Sequence, residues 1–152
     1  MTDDDHHDFE RFFRVAEPRL RRAYAARCAP SHVGEAVSAA LEFAWRDWER
    51  VAAMEFPVAY LFRVGLSKSR LRRHGVVPAP PPAGEPLVEP GLIDAMQRLP
   101  RRQREVVWLI EACDWTPTEA AQALGLSLSA VRTHRIRGLR RLREQLGVEV
   151  DG

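Results

Sequence analysis

Apolar residues recur at intervals of three and four along most of the chain, a spacing that places them on one face of an α-helix. The first half carries three such stripes, over residues 9–24, 33–48 and 57–74. We find no segment in which apolar and polar residues alternate as they do in a half-buried strand. The pattern therefore predicts an all-α protein.

Local signals set the expected helix boundaries in the first half. Pro18 predicts a kink or a break that turns the first stripe into a helical hairpin. Ser31 is suited to cap the second helix, and Pro57 is suited to the first turn of the third. Residues 49–56 are expected to form the loop between these two helices.

A proline-rich segment divides the chain. Residues 75–90 hold six prolines in sixteen positions, which forbids a helix and favours extended backbone. We therefore expect two small helical domains joined by this linker, the first over residues 9–74 and the second over residues 91–148. Residues 1–8 are polar and mostly acidic, and they are expected to be a disordered tail.

A capping signal follows a short helix in the second half. That helix is predicted over residues 92–99, because Pro100 ends it. Thr116 and Glu119 have the spacing of a capping box, in which each side chain bonds the backbone N–H of the other residue, and Pro117 suits the first helical position. These residues predict a helix start.

The residues after the capping box have the spacing of a helix-turn-helix. Ala121 is small enough for two helices to cross closely, and Gly125 tolerates the left-handed conformation of the turn. Ser127 is suited to cap the second helix. The inward face of that helix is predicted to hold Leu128, Val131, Leu139, Leu142 and Leu146. An ordinary helical hairpin is the alternative, but it needs neither a small crossing residue nor a second helix without acids.

The net charge of +2 hides two basic stretches. Residues 127–143 hold six arginines and no carboxylate, and residues 56–74 hold five cations and no carboxylate. A solvated helix face is the simpler interpretation of a charge run, but such faces usually mix Glu with Arg to form ion pairs. The two stretches therefore favour a polyanion as partner.

Placing Val131 inward turns a polar surface outward that can enter a DNA major groove. The residues expected there are Ser127, Ser129, Ala130, Arg132, Thr133, Arg137, Arg140 and Arg141. The N-terminal members are expected to read base edges, and the arginines to hold mainly phosphates. Arg135 falls near the middle of the inward face, so either its stem lies along the core or the helix is rotated and Ile136 is partly buried.

Several classes of protein are not expected. No apolar run approaches the roughly 20 residues that span a bilayer, and the acidic N-terminus differs from a signal peptide, so we expect a cytoplasmic protein. Cys28 and Cys113 stand far apart, which supports neither a disulfide framework nor a zinc site. No phosphate loop, metal-ligand spacing or catalytic triad stands out, so we expect neither an enzyme nor a cofactor, metal or small-molecule substrate.

The second half resembles region 4 of the sigma-70 factors of bacterial RNA polymerase, at its opening (residues 99–107) and at its helix-turn-helix (residues 120–133). Residues 44–51 and 57–64 follow region 2 of that family in order and spacing. The chain as a whole is similar to the short extracytoplasmic-function group, which has regions 2 and 4 alone, and among these to actinobacterial members.

The resemblance implies promoter DNA and the polymerase core as partners, and it suggests an anti-sigma factor as a third. Region 4 would bind the minus-thirty-five element through the outward residues of the helix-turn-helix. Region 2 would open the minus-ten element, where aromatic and cationic side chains capture single-stranded DNA. The candidates there are Trp48, Phe56, Tyr60, Arg63, Lys68 and Arg70. Trp45 is expected in the core instead.

The polymerase-binding patch of region 2 is less acidic here than is typical of the family, and its candidate residues are Glu35, Ser38 and Glu42. This departure motivates one alternative, a sigma-like interaction protein that has lost promoter opening. A second alternative is a stand-alone regulator, because residues 130–142 also resemble the LuxR-type helix-turn-helix. Such regulators usually carry a receiver or ligand domain, and no βαβ pattern of that kind is present.

Overall fold

The computed structural model describes residues 2–68 and 91–147. The regular elements within these two ranges are all helical, which confirms the predicted fold class. The linker predicted over residues 75–90 lies outside the described residues, as does Arg70.

Residues 2–68 form α1 (Asp3–Tyr24), α2 (Pro30–Arg46), α3 (Trp48–Ala52) and α4 (Pro57–Lys68). Residues 91–147 form α5 (Leu92–Arg98), α6 (Arg101–Val107), a π-helical turn (Trp108–Ala112), α7 (Pro117–Leu124) and α8 (Leu128–Leu146). The predicted helix start at Pro57 and the short helix before Pro100 are both confirmed.

Helix α1 differs from the prediction at two points. The expected disordered tail is wrong for residues 3–8, which form the first turns of α1 because Thr2 and Asp5 make a capping box. Three aspartates in that first turn also stabilise the helix, because their negative charges lie at the positive end of its dipole. The expected break at Pro18 is wrong as well, since α1 continues through it. Pro18 is exposed, so water can bond the carbonyl that the missing N–H leaves free.

Two further boundaries in the first half differ from the prediction. Helix α2 begins at Pro30 and has no side-chain cap, so Ser31 lies inside its first turn. The expected loop over residues 49–56 is wrong in its first part, which belongs to α3. This short helix turns Trp48 and the fully buried Val51 toward the core, and that burial offsets its small number of backbone hydrogen bonds.

The first half is centred on a close approach between α1, α2 and α4. The Tyr24 hydroxyl donates to the carbonyl oxygens of Leu61 at 3.1 Å and Phe62 at 2.9 Å. Burial raises the pKa of Tyr24, so the hydroxyl stays protonated as a donor. Gly65 lies against the same hydroxyl, and a Cβ there would also come within 2.6 Å of the Ala36 carbonyl oxygen. Glycine therefore fixes the separation of these helices.

The two halves pack on each other and share one apolar cluster. Helix α7 contacts α4, and the Trp115 ring meets the Phe62 ring edge-on with centroids 5.8 Å apart. Trp115 is 2% exposed and Phe62 is also 2% exposed. A second, smaller cluster lies between α5, α6 and α8, around Met96 and Leu142. Helix α8 is thereby held by its own half of the chain.

Candidate nucleic-acid interface

The two caps of the predicted helix-turn-helix are confirmed. Thr116 Oγ1 accepts from the Glu119 backbone N–H at 3.1 Å, and Glu119 Oε1 accepts from the Thr116 backbone N–H at 3.2 Å. Gly125 adopts φ of +66° at the end of α7, which is the left-handed turn that its position predicts. Ser127 Oγ then accepts from the Ala130 backbone N–H at 3.0 Å and starts α8. These bonds set where the second helix emerges.

Removal of the second cap has a predictable cost. We expect Ser127→Ala to lower the free energy of unfolding by about 1 kcal/mol, because the Ala130 N–H loses its acceptor. Ser129→Ala is the matched control, since Ser129 is exposed and lies past the cap. Urea unfolding followed by circular dichroism measures both. Equal midpoints for the two variants would contradict a capping role for Ser127.

The inward face of α8 agrees with the prediction in part. Val131 is fully buried, Leu142 is 7% exposed, and Leu139 and Leu146 are half-buried. Leu128 is 37% exposed, so its predicted inward position is wrong. It is the first residue of α8, and it lies at the rim of a cleft that Ala121 and Gln122 of α7 also line.

Two small residues matter more than the sequence pattern indicates. Ala120 is fully buried, whereas Ala121, the predicted crossing residue, is half-buried. Gly138 lies where α8 crosses α6, and a Cβ there would stand 2.7 Å from Val107 Cγ2. Sequence reasoning missed Gly138 because a glycine within a basic run gives no periodic apolar signal.

The outward surface of α8 is accessible. Of the eight predicted DNA-contacting residues, Ala130 is half-buried and the other seven are exposed. The exposed residues are Ser127, Ser129, Arg132, Thr133, Arg137, Arg140 and Arg141. None of the four arginines in this set forms an ion pair with an acid in residues 2–68 or 91–147. The surface therefore carries net positive charge that an anionic partner can neutralise.

Arg135 lies at the edge of this surface. Its Nε donates to Glu111 Oε1 at 2.7 Å, and the side chain is 40% exposed. Ile136 is 58% exposed, so the interpretation in which a rotated helix buries it is wrong. Glu111, on the π-helical turn, holds Arg135 away from the inward face.

Aromatic and cationic side chains of the first half line a cavity of about 410 Å³ beside α4. The Lys68 ammonium stands 5.3 Å from the centre of the Phe43 ring, whose centroid is 6.0 Å from that of Tyr60. Arg63 lines the same cavity. The structure thus brings together three of the predicted minus-ten candidates, and it adds Phe43, which the sequence analysis missed.

Arg50 completes this group from the side. Its Nη2 donates to the Tyr60 hydroxyl at 2.7 Å, and its guanidinium carbon lies 5.5 Å from the centre of the Tyr60 ring. Phe56 is half-buried and packs against the core cluster. Trp48 is 8% exposed, so its predicted availability to a base is wrong. The fold of α1 over α3 explains this burial, because Phe9 and Phe12 each place a ring 5.3 Å from that of Trp48.

The candidate polymerase-binding residues share one face of α2. Glu35, Ser38 and Glu42 are exposed at helical spacing, and Glu42 forms an ion pair with Arg46 one turn on. Trp45 is 36% exposed, so its expected place in the core is wrong. It lies against Phe9 with ring centroids 4.9 Å apart, at the edge where α1 covers α2.

The capped helix pair, the left-handed glycine and the unpaired arginine surface define a helix-turn-helix DNA-binding protein. The family model of sigma-70 region 4 matches residues 91–142. The RNA polymerase sigma-E factor of Streptomyces coelicolor is 29% identical over 153 residues, covering 91% of this chain and 86% of that protein. Residues 91–142 are thus similar to sigma-70 region 4, and the chain as a whole is similar to an RNA polymerase sigma factor.

Two solved structures share the fold. The sigma factor RpoE of Bartonella quintana, in complex with the anti-sigma factor NepR, superposes with a TM-score of 0.72 at 21% identity, over 94% of this chain and 99% of that one. CnrH, in complex with the cytosolic domain of CnrY, gives a TM-score of 0.66 at 23% identity, over 95% of this chain and 91% of that one.

Among the described residues, no helix is both long and apolar enough to cross a membrane.

Proposed function

We propose that this protein is a sigma factor that directs the polymerase core to specific promoters. In this proposal α8 binds the minus-thirty-five element, and the surface around α4 binds the minus-ten element and starts its opening. The accessible arginine surface of α8, which pairs with no acid among the described residues, is the observation that carries the proposal, because a helix-turn-helix presents its second helix to the major groove. The Streptomyces coelicolor relative is named an RNA polymerase sigma factor, which supports the proposal.

Charge and geometry support separate roles within α8. Ser129, Ala130 and Thr133 lie in its first two turns, next to the cap, where a helix-turn-helix reads base edges. Arg137, Arg140 and Arg141 lie farther along and have the reach to hold phosphates. Short side chains near the groove floor and long cations along its edges match the shape of B-DNA.

In the first half, the cavity beside α4 suits a single-stranded base. Tyr60 offers a ring face with Arg50 beside it, while Arg63 and Lys68 line the rim and can hold the backbone. The exposed face of α2 with Glu35, Ser38 and Glu42 is the proposed contact with the polymerase core.

We propose the cytoplasm as the site of action, because transcription takes place there. An anti-sigma factor is a further proposed partner, since both of the solved structures described above are complexes, one of them with a protein described as an anti-sigma factor.

Run-off transcription tests the proposed function. Purified protein and polymerase core are incubated with a library of promoter fragments, and transcripts are sequenced. We expect transcripts that start from a small set of templates and that depend on this protein. Core binding measured by co-purification, without any transcript, would instead favour the interaction protein, and DNA binding without core binding would favour the stand-alone regulator.

The arginine surface predicts a salt dependence. The triple variant Arg137→Ala, Arg140→Ala and Arg141→Ala should reduce the slope of log affinity against log salt by about 3, because about 0.9 counterion is released per phosphate contact. It should also weaken binding on all sequences alike. Fluorescence anisotropy at several salt concentrations measures both effects. Arg11→Ala, which removes an exposed cation from α1, is the control and should leave the slope unchanged.

A further inference from the structure

One large apolar side chain of α8 faces solvent. Ile136 is 58% exposed, and it belongs to neither of the two apolar clusters formed by the described residues. Gly138, where α8 crosses α6, lies about 200° around the helix from Ile136, so the isoleucine points away from the core of the second half. Isoleucine is also a weaker helix former than alanine. The fold alone therefore does not explain an isoleucine at this position.

Ile136 lies at the centre of the outward surface of α8. Ser129 and Arg132 stand seven and four residues before it, and Arg140 and Arg143 stand four and seven residues after it. All four share its face of the helix, and all four are exposed. A single apolar side chain is thus surrounded by one hydroxyl and three guanidinium groups. In the proposed function this surface enters the major groove of the minus-thirty-five element.

The position of Ile136 along α8 suits a contact with base edges. It is the ninth residue of the helix, about 12 Å along the axis from Leu128. Thr133 precedes it by three residues, or about 4.5 Å, which corresponds to between one and two base-pair steps of about 3.4 Å in B-DNA. Ile136 therefore meets the base pair one or two steps beyond the one that Thr133 contacts.

The Ile136 side chain matches a single feature of the major groove. It has no hydrogen-bond donor or acceptor, whereas the edges of adenine, guanine and cytosine present amino groups, ring nitrogens and carbonyl oxygens there. Those polar groups would lose water against an isoleucine and gain no partner. The C5-methyl group of thymine is apolar, and it gains from leaving water against this side chain. Ile136 therefore favours thymine by attraction and disfavours the other bases by desolvation.

A protein partner would require a larger apolar surface than Ile136 offers. Exposed patches that bind proteins extend over a few hundred Å² and hold several apolar side chains. The neighbours Arg132, Thr133 and Arg140 are polar and exposed. Leu139, the apolar neighbour, packs against the cluster between α5, α6 and α8. The exposed apolar area is therefore that of one side chain, which suits one methyl group within a site for an anion.

We propose that Ile136 selects thymine at one position of the minus-thirty-five element by covering its C5-methyl group. The identity of the element rests on the proposed function, but the contact itself requires only that α8 binds in a DNA major groove. Arg132 and Arg140, one turn before and one turn after, hold the phosphates that set the depth of Ile136 in the groove. Thr133 bonds the neighbouring base edge.

The test begins with DNA that the protein itself selects. The full chain, with and without polymerase core, is incubated with duplex fragments of random sequence, and the bound fragments are sequenced. Each thymine of the enriched sequence is then replaced singly by uracil, which differs from thymine only by the missing C5-methyl group. Fluorescence anisotropy measures the affinity for each fragment.

Uracil should weaken binding by the natural chain about fourfold at one position, the factor expected for burial of one methyl group. In Ile136→Ala the same replacement should leave the affinity unchanged, because no side chain remains to cover the methyl group. Val15→Ala is the matched control, since it removes another β-branched side chain that is 60% exposed, from α1. It should keep the fourfold loss. Circular dichroism checks that each chain keeps its helices.

A second variant tests the same contact by a change of preference. Ile136→Gln introduces an amide that can accept from adenine N6 and donate to adenine N7. A new selection with this variant should enrich adenine at the position where the natural chain enriches thymine, while the neighbouring positions keep their bases. An unchanged thymine at that position would contradict the contact.

The outcomes distinguish the contact from the proposed function. Absence of any position sensitive to uracil, or a loss that persists in Ile136→Ala, would overturn the role of Ile136 and leave the sigma factor proposal to the run-off assay. Enriched DNA without transcripts would overturn the proposed function, while the uracil series would still decide the contact. Absence of enriched DNA with and without core would overturn both. Weaker co-purification of Ile136→Ala with core, at unchanged affinity for thymine and uracil fragments, would assign Ile136 to a protein contact instead.

Discussion

Gly65→Ala is expected to cost about 3 kcal/mol of the free energy of unfolding, at the upper end of what overpacking usually costs. The new Cβ would overlap the Tyr24 hydroxyl and approach the Ala36 carbonyl oxygen at 2.6 Å. Relief requires a shift of α2 against α4, because the carbonyl belongs to the backbone. Small domains are stable by about 5–15 kcal/mol, so this loss is a large fraction of the total.

Gly34→Ala provides the matched control for this substitution. Gly34 also lies inside a helix, α2, and a Cβ there would meet no atom within 4 Å. Alanine should therefore stabilise the protein by about 0.5–1 kcal/mol through its better helix propensity. Urea unfolding of both variants measures opposite shifts of the midpoint. Shifts of the same sign would contradict the close approach at Gly65.

Trp115→Ala is expected to cost about 3–5 kcal/mol, the usual range for loss of a large buried aromatic side chain. The ring is 2% exposed, contacts Phe62 edge-on and lies under the Arg19 guanidinium. Its loss leaves a cavity between the helix-turn-helix and α4. We therefore expect a lower unfolding midpoint.

Trp45→Ala makes the same chemical change at a half-open position. Trp45 is 36% exposed and contacts Phe9 and His6 through ring edges. Its replacement should cost about 1 kcal/mol, comparable to one aromatic pair. The two midpoints, measured side by side in urea, should differ by more than about 1 M. A larger loss at Trp45 would show that the shared cluster contributes little to stability.

Periodicity and capping residues were sufficient for the class of fold and for the helix-turn-helix. Thr116, Gly125 and Ser127 act through bonds within a few residues, so their roles follow from the local sequence alone. The prediction of a break at Pro18 was wrong because it considered local effects alone. A proline weakens a helix locally, but tertiary contacts of Leu20 and Tyr24, both fully buried, keep α1 continuous.

Features that depend on elements far apart in the chain were not predictable in this way. The burial of Trp48 requires Phe9 and Phe12 of α1 to fold over α3, and periodicity does not tell which stripe faces which. The position of Arg135 depends on Glu111, 24 residues earlier. The docking of the two halves has no sequence pattern at all, since Arg19 and Glu119 stand 100 residues apart.

The two carboxylate oxygens of Glu119 have separate partners, so the residue type at position 119 indicates which of the two contacts a related sequence can form. Aspartate has too short a side chain to cap α7 and reach Arg19 together, and glutamine can cap but carries no charge for the ion pair. Glutamate at position 119 with an arginine at position 19 therefore joins the start of α7 to α1. A relative with glutamine at 119 and no cation at 19 would keep the cap of α7 but lose this contact with α1.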